Sequence, residues 1–157
     1  MKTIPIVWQR LLADGQTCER CASTQDELLA AVATLEAALA PLGLRPELQS
    51  IALDVADFAA DPSASNRIWV AGRPLEAWLG AGVGATPCCA VCGDRSCRTL
   101  EFAGRSYEAV PANAVIQAGL LAAAAALGAP ARAATAPPDG CGPSPGQRDS
   151  AAARPSR

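Results

Sequence analysis

The chain has 157 residues, a formal net charge of −2, seven cysteines and no histidine, a length that suits one domain with its own core. Half of the residues are apolar, but 36 are alanines, which fill little core volume, and only 4% of the chain is aromatic. These numbers exclude a Ser-His-Asp triad, a Cys-His pair and an imidazole-ligated metal, and the weak charge argues against nucleic acid as a partner.

Ile4 to Trp8 is short, apolar and β-branched, so it predicts a buried strand. Its apolar run, about five residues, is too short for a secretory leader, and the cytoplasm is the expected compartment. Asp14-Gly15 marks a turn. Leu28, Val32, Leu35, Leu39 and Leu42 then recur at helical spacing, and Pro41 and Gly43 punctuate the end. Two starts suit this helix. Thr17 can cap a helix beginning at Cys18, or Thr24 and Glu27 can form a capping box after the cysteines. Pro46 to Leu53 is a second strand with Leu48, Ile51 and Leu53 as core, completing a βαβ unit. A helical turn around Val55–Phe58 precedes a third strand over Arg67–Ala71, and Pro74–Leu79 reads as a short helix. Asp54, Asp57 and Asp61 read as solvated connection residues.

Gly80–Pro87 reads as a glycine-rich loop. Thr99–Phe102 and Ser106–Val110 flank Ala103-Gly104-Arg105 as a hairpin, with Tyr107 in its core. Pro111 starts a last helix that ends at Gly128. Ala114–Ala131 is alanine-rich and interrupted by Gln117, so no membrane span is expected. Residues 129–157 contain no large apolar side chain and are expected to be disordered.

The cysteines fall into a pair, a cluster and a single residue. Cys18 and Cys21 form a CxxC, whose spacing brings two sulfurs within disulfide or chelating distance. If the helix starts at Cys18, its free amides and dipole favour the Cys18 thiolate. Cys18 is then an exposed nucleophile and Cys21 the resolving thiol, with Arg20 adding positive charge nearby. Cys88, Cys89, Cys92 and Cys97 lie within ten residues of each other and can close a tetrahedral zinc site or hold another soft ion. Two arrangements are open. Either the four form a self-contained site, or their loop folds over the CxxC and the groups act together. Arg95 and Arg98, flanking Cys97, read as solvated surface. Cys141 is expected to have no role.

Several segments carry a resemblance. Trp8-Gln9-Arg10-Leu11, Thr17-Cys18-Glu19-Arg20-Cys21, Ser65-Asn66, Gly72-Arg73-Pro74-Leu75-Glu76, Cys88–Arg98 and Tyr107-Glu108-Ala109-Val110-Pro111 resemble an uncharacterised family of small prokaryotic thioredoxin-like proteins. The resemblance covers residues 4–127. It implies a thioredoxin-like fold with a thiol-active site at Cys18 and Cys21. Two departures are visible. Ser65-Asn66-Arg67 stands where thioredoxin-like proteins place a cis-proline, and Glu19-Arg20 matches neither Gly-Pro nor Pro-Tyr between the cysteines.

The sequence therefore predicts an α/β domain over 1–128. It has a thioredoxin-like mixed sheet of about five strands, flanking helices and a cysteine-rich insertion at 80–98. The expected activity is thiol–disulfide exchange by Cys18 and Cys21 on a protein or small-molecule thiol or disulfide, with no cofactor required. The alternative is a soft-metal or metalloid protein whose ion, zinc or another, is held by Cys88, Cys89, Cys92 and Cys97 or by both groups.

Overall fold

The computed structural model describes residues 1–88 and 90–128. Cys89, Cys141 and the whole expected tail at 129–157 lie outside the described residues.

Strand β1 (Lys2–Leu11) runs through the centre of the main sheet and buries Ile4, Ile6, Trp8 and Leu11. Asp14 and Gly15 both take positive φ and close a tight turn between Ala13 and Gln16. Helix α1 (Glu19–Leu39) follows, with Cys18 at its N-cap. Its inward stripe is Cys21, Thr24, Leu28, Ala31, Leu35 and Leu39. Leu42 belongs to a short 3-10 turn and is exposed; the helix has already ended there. Strand β2 (Leu44–Leu53) returns parallel to β1 along its full length, as the βαβ pattern predicts. Leu44 and Leu53 are buried in it, but Ile51 is exposed, contrary to expectation, because it points away from the core at the edge of the sheet.

Helix α2 (Val55–Ala60) is capped by Asp54, whose carboxylate accepts the Asp57 amide at 2.7 Å. Strand β3 (Arg67–Val70) pairs antiparallel with β1, and the two-residue β4 (Arg73–Pro74) pairs with β3. Ala71 and Gly72 between them both have positive φ, as a type I′ hairpin requires. Helix α3 (Leu75–Leu79) comes next. The sheet order is β2-β1-β3-β4.

A second sheet stands where one larger sheet is expected. Strands β5 (Gly82–Pro87), β6 (Ser96–Phe102) and β7 (Arg105–Tyr107) form an antiparallel meander. The β6–β7 hairpin is the predicted one, turning at Ala103-Gly104. The glycine-rich loop, in contrast, is strand β5. Its glycines serve close approach: a Cβ on Gly84 would sit 2.7 Å from Thr99 Oγ1 and from Glu101 Oε1. Helix α4 (Ala112–Ala126) packs on α1, where Gly119 lies against the buried Leu35 side chain. A single apolar core links both sheets and the helices, and it includes Cys18, Cys21, Cys92 and Cys97. Among the described residues no helix is long and apolar enough to cross a membrane.

The suggested capping box is put to a different use. Thr24 lies buried within α1, and its hydroxyl accepts the Val110 amide at 3.1 Å. Glu27 accepts the Ala112 amide at 2.7 Å. Both side chains thus secure the entry to α4, and Glu27 satisfies an amide that would otherwise be orphaned at the helix start. Pro111 occupies the N-cap of α4 rather than its first turn.

Candidate functional site

The end of β1 and the start of α1 place the CxxC at one end of the main sheet. Cys18 has extended backbone angles, so the chain turns into the helix directly after it. Its carbonyl accepts the Ala22 amide at 2.9 Å. Thr17 does not cap the helix; its hydroxyl donates to the Leu11 carbonyl at 3.1 Å and ties the approach back to β1.

Cys18 is only 2% exposed, so it is not the open nucleophile that the spacing suggests. The cover comes from the cysteine-rich segment. After β5 the chain passes Cys88, makes a 3-10 turn at Ala90–Cys92, reverses at Gly93 and enters β6. The Cys88 amide donates to the Arg95 carbonyl at 3.0 Å, closing the base of this loop. The sulfurs of Cys18, Cys88 and Cys92 all lie within 4.8 Å of one another, a set able to hold a metal ion. The second proposed arrangement, a loop folded over the CxxC, therefore describes how these three sulfurs meet. Cys97 is buried beside Cys92, within hydrogen-bonding reach of its thiol. The five described cysteines are thiols rather than disulfides.

Arg20 secures the loop. Its guanidinium donates to the Pro87 carbonyl at 2.5 Å, to the Thr86 carbonyl at 3.4 Å and to the Glu108 carboxylate at 2.7 Å. The Thr86 hydroxyl donates to the same Glu108 oxygen at 3.0 Å. One residue between the two cysteines of the pair thus pins the strand end that carries Cys88. Nothing in the local sequence of Glu108 marks this role, since its partners lie far away along the chain.

Ser65 stands beneath the pair. Its oxygen accepts the Leu11 amide at 3.0 Å and lies 3.7 Å from the Cys21 sulfur. Asn66 takes a positive φ of 61°, which asparagine tolerates better than most residues. Its side chain accepts from the Trp8 indole and donates to the Glu108 carbonyl, both at 3.2 Å, joining β1 to the segment before α4. The position that lacks a proline is therefore a polar junction under the thiols. Arg98, expected on the surface, is buried and paired with Glu76. Arg95 donates to the Ala59 carbonyl at 3.1 Å.

The electrostatics separate the thiols. Cys18 is held down to about 5, chiefly by the hydrogen bond from the Cys21 thiol. Burial opposes this, and the Cys21 amide and the thiols of Cys92 and Cys88 add to the lowering. Cys21 is pushed up, mainly because it gives its proton to that hydrogen bond and because it is buried. Cys92 is also pushed up, first by burial and then by its hydrogen bonds to Cys88 and Cys97. The cluster by itself holds its negative charge on Cys18 and keeps Cys21 and Cys92 protonated. Such a cluster can bind a metal or carry out thiol chemistry.

An uncharacterised protein of the archaeon Archaeoglobus fulgidus is 47% identical over 112 residues, which cover 71% of this chain and 82% of the relative. No solved structure matches the chain. A family model described as a domain of unknown function, DUF2703, matches residues 4–119, which span every described cysteine. The chain belongs to the DUF2703 family.

Proposed function

We propose that the protein binds a soft metal or metalloid ion through Cys18, Cys88 and Cys92. The observation that carries this reading is the meeting of their three sulfurs within 4.8 Å, drawn from two distant parts of the chain. Thiolate ligands select soft ions, and without histidine the chain has no imidazole to compete. The loop is held over Cys18 by Arg20, so the ligands are brought together before the ion arrives. Cadmium titration of the reduced, anaerobic protein is expected to give sulfur-to-metal charge-transfer absorption that saturates at one ion per chain. Replacing Cys18, Cys88 or Cys92 by serine is expected to weaken binding at least about tenfold, the scale of losing a site component. Unchanged affinity in all three variants would refute the reading.

Thiol–disulfide exchange is the second reading, favoured by the depressed Cys18 thiol and its hydrogen bond from Cys21. A thioredoxin-like kinship fits the β2-β1-β3-β4 strand order with its parallel β1–β2 pair. In this chemistry the Cys18 thiolate attacks a disulfide, one thiolate leaves, and Cys21 displaces the second to form a Cys18–Cys21 disulfide. The covering loop favours a small disulfide over a protein one. Turnover of glutathione disulfide that disappears in Cys18→Ser supports this reading, and no turnover by the wild-type chain rejects it.

A further inference from the structure

We infer that oxidation opens the three-sulfur site: a small disulfide of the glutathione class reacts first at Cys88, and Cys18 then displaces it to leave a Cys18–Cys88 disulfide. The release of an ion by this step rests on the metal-binding reading above and adds its regulation. The three sulfurs differ in access. Cys18 and Cys92 are 2% and 5% exposed, whereas Cys88 is partly open to solvent. Thiol–disulfide exchange needs access to the attacking sulfur as well as a thiolate. A small disulfide can reach Cys88 with the covering loop in place, but it reaches Cys18 only once that loop has moved. The roles that the CxxC spacing suggests are thus divided between elements. The loop supplies the sulfur that meets the disulfide, and the N-cap of α1 supplies the one that resolves it.

The geometry favours the second step. The sulfurs lie within 4.8 Å of one another, so those of Cys18 and Cys88 close by at most about 3 Å to reach a disulfide bond length of about 2.05 Å. Cys18 directly precedes α1 and Cys88 directly follows β5, so both side chains stand at the ends of elements rather than inside them. Arg20 holds the Pro87 carbonyl, next to Cys88, and keeps the two sulfurs together, which favours an intramolecular step. In such exchange the incoming, central and outgoing sulfurs line up, so a resolving sulfur from the buried side sends the outgoing group toward solvent. The step balances with glutathione disulfide as the oxidant. The Cys88 sulfur bonds to one of its sulfurs, the glutathione S–S bond breaks, and the Cys88 proton ends on the first glutathione released. The Cys18 thiolate then bonds to the Cys88 sulfur, the Cys88–glutathione bond breaks, and the second glutathione leaves as its thiolate. Two protein thiols are oxidised and one disulfide is reduced. Both joined sulfurs belong to the set assigned to the ion, and only thiolates are good ligands, so the ion loses two of them.

The test uses the full, reduced chain under anaerobic conditions, with glutathione disulfide as the oxidant. Peptide mapping without reduction is expected to find Cys18 joined to Cys88 as the first disulfide. Cys18→Ser is expected to stop at the intermediate, with glutathione retained on Cys88. Cys88→Ser is expected to form no Cys18 disulfide over the same exposure. In chain loaded with one equivalent of cadmium, the charge-transfer signal is expected to fall in step with the disulfide and to return on reduction. A Cys18–Cys21 disulfide that forms equally fast in wild type and Cys88→Ser overturns the inference. So does glutathione retained on Cys89 rather than Cys88 in Cys18→Ser, or a wild-type chain that does not react. A cadmium signal untouched by a completed Cys18–Cys88 disulfide overturns the release of the ion. Failure of the reduced chain to bind cadmium overturns the metal-binding reading instead, and the disulfide map, read without any metal, still decides the route of exchange. The wild-type map needs no variant, so it stands even where a substitution impairs folding.

Discussion

Cys18 and Cys21 hold one proton between them where two separate thiols would hold two. Unfolded, both titrate near 9.0; folded, Cys18 ionises at about 5 and Cys21 keeps its proton beyond the ordinary range. Between about 5 and 9.0 the unfolded pair therefore binds more protons than the folded pair, so stability rises with pH across that window. Above 9.0 the unfolded pair has lost both protons and the folded pair retains one, so the gain reverses. With no histidine in the chain, little else titrates in the middle of this range. The urea midpoint of the metal-free protein should climb from pH 6 to about 8.5, the thiol range. Cys18→Ala should flatten the climb, and a flat wild-type profile would contradict the proton-sharing picture. Thr24 makes a second residue-scale case. Thr24→Val leaves the Val110 amide without its acceptor in a buried place, a loss of about 1–3 kcal/mol. Thr24→Ser should recover most of it in chemical denaturation. The CxxC was visible as spacing, but the partners of Thr24 and Ser65 were not. Those partners lie 86 and 54 positions away, beyond any local pattern.

At the scale of elements, the periodic ones were legible. The apolar stripe of α1, the parallel return of β2 and the β6–β7 hairpin each follow from spacing or turn chemistry within one segment. Strand β5 was not, because Gly82-Val83-Gly84 lacks both strand propensity and alternation. Its conformation comes from pairing with β6, whose Thr99 and Glu101 side chains need the room the glycines leave. The same pairing delivers Cys88 to the site, so the missed strand and the missed ligand geometry have one cause. Arg20→Ala tests the connection. Removing the guanidinium frees the β5 end and should cost about 1–3 kcal/mol in stability, since charged hydrogen bonds are lost. It should also weaken cadmium binding about 10- to 100-fold, as loss of an outer supporting contact does. Hydrogen exchange at the Cys88 amide should speed up, and equal exchange in wild type and variant would argue against a tethering role. Arg20→Lys keeps the charge but not the forked geometry, so it should rescue only part of the loss.

Across the whole molecule, two sheets share one core, and the described cysteines belong to it or pack against it. The α/β class and the cysteine-rich insertion were readable from the chain, but the division into two sheets was not. Pairing between strands is a non-local property, and β5–β6–β7 close their hydrogen bonds on one another rather than on the main sheet. The meeting of Cys18 with Cys88 and Cys92 has a mechanical consequence. An ion bonded to all three would act as a cross-link, closing a circuit of about 70 residues and removing conformations from the unfolded ensemble. Because only the folded chain assembles the ligands, an ion at a thousand times its dissociation constant should stabilise the fold by about 4 kcal/mol. A protease cut between β2 and β3 should then leave two fragments that travel together while the ion is bound. They should separate under denaturing conditions once a chelating dithiol strips it out. The site would thus act as a removable clasp between the first helix and the second sheet.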